Sequence, residues 1–431
     1  MTIRLRLSLA LIAVLAMMSL ASCDHYNCPS GPTLGSGCTS SGSGLSTTGT
    51  GTGSGSATAA FVFVSDAAGT GTTGTIDGYT LNTSASTFSA TPSYIAPTTP
   101  IGDTGVGLVV AQEKYLFTGF GSTNTIYGWL IGADGSLTTL NGSPYSAPFM
   151  SFVPSTSGST NVVANPAGTV MYFADGFQDK IYGYQIGSDG SLTAASGSPF
   201  SVPFGGNLAT DGLGKYLYIT EAFSNHTGSK IAAYSIGSNG SLTVVPGSPF
   251  AYPMWEVQGE PSGQFLIGTT GNSAAPGFSG TDDAHLYVFS ITQSGSTAGA
   301  IAPISGSPFV TTNSPLNIAV QSNTGGNLVY TFGIADSDLA FNPIEGYSIG
   351  STGALTMVSG SPFSGLTEGS QGAFDQSGDF LFDYAEFLNS GTNAITWQMG
   401  ALSVGSAGAL SQPTSALTLP TGGFFVVTDP Q

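Results

Sequence analysis

Positive charge is almost missing from this sequence. Arginine occurs only as Arg4 and Arg6, and the rest of the chain holds four lysines, Lys114, Lys180, Lys215 and Lys230, against 24 acidic residues. A nucleic-acid-binding protein needs a basic footprint to displace counterions, so that class is excluded. Anionic lipid head groups are disfavoured for the same reason. Cysteine is scarce too: Cys23, Cys28 and Cys38 are the only three, all near the start. Disulfides therefore cannot staple the bulk of the chain. Apolar runs beyond the first residues are short and turn signals are dense, so no helix is expected there. No Gly-x-Ser-x-Gly elbow, Cys-x-x-Cys pair or phosphate loop occurs, which removes the common signatures of a nucleophile, a redox pair or a nucleotide site.

The one long apolar run, Leu7–Leu20, has 14 residues and follows Arg4 and Arg6. It is short for a membrane span and reads as a signal peptide over 1–22. It ends in Leu20-Ala21-Ser22-Cys23, which resembles the lipobox of bacterial lipoproteins. That resemblance implies lipidation at Cys23; the alternative is an ordinary secretory signal cut near Ala21. Either way an extracytoplasmic protein is expected. With the lipobox it is lipid-anchored to a bacterial membrane, periplasmic or at the cell surface, and touches the membrane through the anchor alone. Residues 23–57 are dominated by Gly, Ser and Thr, too poor in apolar side chains to fold, and are expected to form a flexible tether. Cys28 and Cys38 are positioned for a local disulfide in an oxidising compartment, whereas a metal site would need further ligands.

What the remaining chain does contain is a repeat. IYGYQIGSDGSLTAASGSPF (Ile181–Phe200) returns as IYGWLIGADGSLTTLNGSPY (Ile126–Tyr145), IAAYSIGSNGSLTVVPGSPF (Ile231–Phe250) and IEGYSIGSTGALTMVSGSPF (Ile344–Phe363), with a looser copy over Leu286–Phe309. Apolar residues alternate with small polar ones, which suits a strand, and Asp134-Gly135, Asp189-Gly190 and Asn239-Gly240 are two-residue hairpin signals. The hairpin glycines read Gly135, Gly190, Gly240, Gly295, Gly353 and Gly408, at intervals of 55, 50, 55, 58 and 55. A period of that length belongs to the longer propeller repeats. Gly-Ser-Pro-Phe is expected to end the outer strand, because proline cannot donate to a ladder.

Seven apolar or aromatic triplets precede the repeat cores: Phe61-Val62-Phe63, Tyr115-Leu116-Phe117, Met171-Tyr172-Phe173, Tyr216-Leu217-Tyr218, Phe265-Leu266-Ile267, Leu328-Val329-Tyr330 and Phe380-Leu381-Phe382. A further short strand precedes all but the first. Each unit thus has four strands, a, b, c and d in chain order. The first unit lacks strand a, and the chain has a spare apolar strand near Phe424-Phe425-Val426-Val427. The sequence therefore predicts an all-β fold over 58–431, a seven-bladed β-propeller with four-stranded blades, closed by the C-terminal strand. A single chain that closes its own ring is expected to be a monomer.

The Lys215–Ile219 strand (KYLYI), the Ile231–Ile236 strand (IAAYSI), the Asp/Asn-Gly-Ser-Leu hairpins and the Gly-Ser-Pro-Phe segments resemble the lactonase family of seven-bladed propellers, which includes 6-phosphogluconolactonase-like proteins. The resemblance covers about residues 58–431 and implies hydrolysis of a ring ester. Inner strands of that family often open on a Pro-Arg-His pattern. Here the column four residues before each a–b turn reads Gly107, Asn161, Asn207, Glu256, Asn317, Gln371 and Phe425. A phosphorylated lactone is an anion whose attack creates an oxyanion, and this column brings no cation to it.

Binding residues are expected on the variable b–c loops, which share one face of the ring and run from 7 residues (Ala174–Lys180) to 18 (Gly268–His285). Glu221, His226 and His285 are the candidates for acid–base catalysis there. Asp282, Asp283, Asp336 and Asp338 are candidate ligands for a divalent cation such as calcium. The alternative for all of them is an ordinary solvated loop. Asn161, Asn207, Glu256, Asn317 and Gln371 either line the channel as binding residues or satisfy neighbouring backbone groups. No organic cofactor is expected. Two functions remain open: a non-catalytic binding or scaffold module taking a small molecule, glycan or protein on the b–c face, and a lactonase-type hydrolase.

Overall fold

The computed structural model of the protein describes residues 58–65, 76–82, 87–91, 107–120, 124–147, 160–175, 178–221, 230–270, 284–323, 326–333, 343–363, 371–389, 394–411, 416–419 and 425–429. These residues form seven antiparallel sheets of four strands, several with a short fifth strand on the outer side, and no helix. From the axis outward, blade two runs Leu108–Ala111, Tyr115–Phe120, Thr125–Ile131, Leu137–Thr139. Blades three to seven repeat that order, with inner strands Thr160–Ala164, Leu208–Thr210, Glu256–Gly259, Pro315–Asn323 and Gln371–Phe374.

Blade one is assembled from both ends of the sequence. Its inner strand is Phe425–Thr428, which pairs with Thr58–Ser65 in the register Phe61↔Thr428, Val62↔Val427, Phe63↔Val426 and Val64↔Phe425. The core independently shows a closed ring. Alternation along strand b sends successive side chains to opposite faces, so each blade feeds two wedges. Phe61 and Phe63 pack with Leu116 and Trp129 of blade two, while Val62 and Val64 pack with Phe382 and Met399 of blade seven. Seven such clusters occur, one between every pair of neighbouring blades.

Two local features depart from the expectation. Gly-Ser-Pro-Phe does not end the pairing. The aromatic after the proline rejoins the start of its own strand c, as Ile126↔Tyr145, Ile181↔Phe200, Ile231↔Phe250, Leu286↔Phe309 and Ile344↔Phe363. Across the gap the serine hydroxyl accepts the strand-c amide left without a ladder partner. Gly128 N, Gly183 N, Ala233 N, Val288 N and Gly346 N donate to Ser143, Ser198, Ser248, Ser307 and Ser361 at 2.8–3.0 Å. The motif is a bulge with a built-in acceptor.

The second departure is in blade five. The residue equivalent to the other hairpin glycines is Gly299 (φ +89°), whereas a Cβ on Gly295 would meet nothing within 4 Å. A Cβ on Gly299 would lie 2.5 Å from the Tyr216 ring of blade four, as one on Gly190 would lie 2.9 Å from Tyr115 of blade two. The c–d turn of blade five is four residues longer: Thr292 N reaches Ala300 O, where Gly187 N reaches Ser191 O. The intervals around it become 59 and 54.

Candidate functional site

The inner strand of a propeller has one edge that no further strand covers, and bare edges must be managed. In blades five to seven this is done by side chains of the preceding blade. Asn207 Nδ2 and Thr220 Oγ1 of blade four both donate to Trp255 O of blade five, each at 2.8 Å. Glu256 Oε2 of blade five accepts Ile318 N of blade six at 3.3 Å. Two residues on, Gln258 donates to Ile318 O at 2.8 Å and accepts Val320 N at 3.2 Å. Gln321 of blade six donates to Asp375 O of blade seven at 3.3 Å. Asn207 and Glu256, picked out in sequence as column residues, are thus engaged with backbone groups of the next blade. Asn317 and Gln371 of the column are buried. Asn161 falls in register with Ala174, and its side chain lies outside the described residues.

Glu256 is 3 % exposed, and its other oxygen accepts Gln258 Nε2 at 2.9 Å. Burial pushes its carboxyl from 4.5 to about 8, against the opposing effect of these two donors. It is therefore held mainly as the neutral acid at pH 7.

The b–c face is where strands b end. Asp175, Glu221 and Thr270 occupy equivalent positions in blades three, four and five, each one residue beyond the partner of the column residue. All three are buried, as is Asp383 of blade seven. Asp175 Oδ1 accepts Gln178 N at 3.1 Å, and the Glu221 amide donates to Lys230 O at 2.9 Å, closing the neck of its loop. Thr270 Oγ1 and Gln371 Oε1 are buried without a hydrogen-bond partner among the described residues. His285 is half-buried at the start of strand c in blade five, its ring 6.4 Å from that of Tyr287. His226, Asp282, Asp283, Asp336 and Asp338 lie outside the described residues, as do Cys23, Cys28 and Cys38. Among the described residues, no group of three or more His, Cys, Asp and Glu side chains is arranged to hold a metal ion.

Asp175, Thr270 and Asp383 were not singled out from sequence. The available signal was a polar residue within two positions of the end of an apolar triplet, as in Phe173-Ala174-Asp175 and Phe382-Asp383. Chemically the strand-b ends of this face supply acceptors, namely carboxylates, an amide oxygen and a hydroxyl, while Lys180, in register with Asp175, and His285 open strands c. No lysine, arginine or histidine occurs on any inner strand or on any described strand b.

No protein-family model matches the chain, and no curated protein matches its sequence. Solved structures do match in shape. A protein from Lactobacillus plantarum is 15 % identical, with a TM-score of 0.60 over 86 % of this chain and 99 % of that one. A candidate 6-phosphogluconolactonase from Bacteroides uniformis is 14 % identical, with a TM-score of 0.59 over 86 % and 99 %. Another from Bacteroides fragilis is 14 % identical, with a TM-score of 0.56 over 86 % and 98 %. At such identities the likeness concerns the fold, and the chain has the seven-bladed propeller fold of these 6-phosphogluconolactonase-like proteins.

Proposed function

We propose that the protein is an extracytoplasmic, envelope-anchored binding module, non-catalytic, whose b–c face takes a neutral or cationic ligand rich in hydrogen-bond donors. A polyol, a glycan or an ammonium-bearing group fits that description. The observation that carries the reading is the cluster of buried acceptors at the channel end, from Asp175, Glu221, Thr270, Gln371 and Asp383, with no lysine, arginine or histidine on any inner strand or described strand b; Lys180, the register partner of Asp175, enters only at the start of strand c. Thr270 Oγ1 and Gln371 Oε1, buried without a hydrogen-bond partner among the described residues, are acceptors that a donor-bearing ligand would satisfy. An anionic phosphosugar lactone would meet repulsion instead of the donors its oxyanion needs.

A second reading, a lactonase-type hydrolase acting on an uncharged ring ester, is favoured by the shared fold with candidate 6-phosphogluconolactonases. Glu221 and His285 would then be its acid–base candidates, with fold likeness alone as the link. One experiment separates the two. Purified protein is screened by thermal shift against neutral sugars, amines and phosphosugars, and by rate assay against neutral and phosphorylated lactones. Binding of the first two classes without turnover supports the module. Lactone turnover well above background, lost in Glu221→Gln or His285→Ala, overturns it.

A further inference from the structure

Six of the seven inner strands run through a short turn into strand b of their own blade. In blade one the equivalent strands, Phe425–Thr428 and Thr58–Ser65, come from opposite ends of the sequence and are held only by pairing and packing. The residue that follows each inner strand differs accordingly. Asp211 of blade four accepts the amides of Leu213, Lys215 and Tyr216 in its own turn. Glu260 of blade five accepts Ser262 N at 3.0 Å. Asp429, the counterpart in blade one, accepts Gln376 N of blade seven at 3.3 Å. Gln376 Nε2 in turn donates to Glu113 Oε1 of blade two at 2.6 Å. One glutamine therefore ties three blades together at the point where the ring closes.

The surroundings of that tie are acidic. Asp375 of blade seven is 2 % exposed, accepts Phe380 N at 2.8 Å and accepts the Ser377 hydroxyl. It faces Asp429 and Asp379, while Asp429 faces Glu113 and Asp379. The neighbouring cation, Lys114, sits over the Tyr115 ring, 5.3 Å from its centroid.

We propose that this seam is a pH-sensitive latch: the closing strand is held firmly while Asp375 and Asp429 keep their protons, and loosens when both ionise beside Glu113 and Asp379. Burial, followed by mutual repulsion, raises Asp375 from 3.8 to about 7. Burial, followed by the nearby Glu113 and Asp379, raises Asp429 to about 6. For an acid raised in the folded state, folding is unaffected while both states are protonated. Its penalty appears as the pH climbs past the unfolded value and is complete above the folded one. The latch is therefore tightest below about pH 4, loosens as the pH climbs towards 6–7 and is weakest above pH 7. Repulsion acts at the one junction with no turn to hold it, so local opening there precedes global unfolding.

The test is amide hydrogen exchange on the full chain at pH 5, 6, 7 and 8, expressed as protection relative to the unstructured rate at each pH. Protection of 425–428 and 58–65 should fall at least about tenfold more than that of Leu208–Thr210 between pH 5 and 8. Asp375→Asn with Asp429→Asn should remove that extra fall. If the double variant does not fold, Glu113→Gln should shrink the extra fall and complete it at lower pH, because Glu113 is one of the charges that raises Asp429. Loss of protection in step across all blades, or an extra fall that survives these substitutions, overturns the latch.

Discussion

Replacing Glu256 by glutamine should make the protein less stable in acid and more stable in mild base, so that its stability curve crosses that of the wild type. The cost in acid comes from geometry. One Glu256 oxygen takes Gln258 Nε2 and the other takes Ile318 N. A glutamine offers one acceptor and one NH2 group, so one of those donors would face another donor. Gln258 cannot rotate away, because its amide is also fixed by Ile318 O and Val320 N. A lost buried hydrogen bond costs about 1–2 kcal/mol. The gain in base comes from linkage. Raised from 4.5 to about 8, the wild-type carboxyl stays protonated in the fold while the unfolded chain ionises. Wild-type stability then falls by about 1.4 kcal/mol per pH unit, up to about 5 kcal/mol by pH 8, with local relaxation reducing that figure. The amide escapes this slope. The crossing is expected between about pH 5 and 6, where a slope of about 1.4 per unit above pH 4.5 equals the lost bond. Urea denaturation of both proteins from pH 4.5 to 8.5 measures it, and the acidic seam contributes equally to each. A stability difference that stays constant across the range would refute the neutral Glu256.

Deleting residues 422–431 should lower stability by several kcal/mol, since Phe425 and Val426 are almost fully buried and each such side chain is worth about 1.5–3 kcal/mol; an unchanged thermal midpoint would contradict ring closure. Gly299→Ala should destabilise by about 2–4 kcal/mol and Gly295→Ala by about 1, because the first meets the Tyr216 ring and the second meets open space; equal denaturation midpoints would restore the sequence register. Ser248→Ala should cost about 1–3 kcal/mol by stranding Ala233 N, read from the same melts. Metabolic labelling with an acyl-chain probe should mark the wild type and not Cys23→Ser; equal labelling would refute lipidation.

The fold was largely legible because a propeller advertises itself locally. Triplets such as Tyr216-Leu217-Tyr218 and hairpins such as Asp189-Gly190 are short-range signals repeated at one period. The spare strand at Phe425 gave away the closure by the same bookkeeping. The turn of blade five misled because its extra residues are themselves glycine- and serine-rich, so Gly295 mimics a hairpin glycine that Gly299 supplies. Gly-Ser-Pro-Phe misled because proline's missing donor is visible in sequence, while the serine's hydrogen bond to a strand-c amide some 15 residues earlier is not. The column residues stayed ambiguous for a different reason. Asn207 and Glu256 meet partners 48 and 62 residues away in the next blade, and no local pattern encodes such a contact. The candidate histidines and aspartates of the loops had no repeat to align them, and most lie outside the described residues.

The direction in which the first strand enters the ring has a bearing on how the protein presents itself. Strand b of every blade starts at the a–b turns and ends at the b–c loops, and Thr58–Ser65 is such a strand. The chain therefore joins the propeller on the side of Asp375 and Asp429, opposite the acceptor-lined mouth. A lipid on Cys23, as proposed, would thus be attached to the ring through its seam side, with the mouth on the other side.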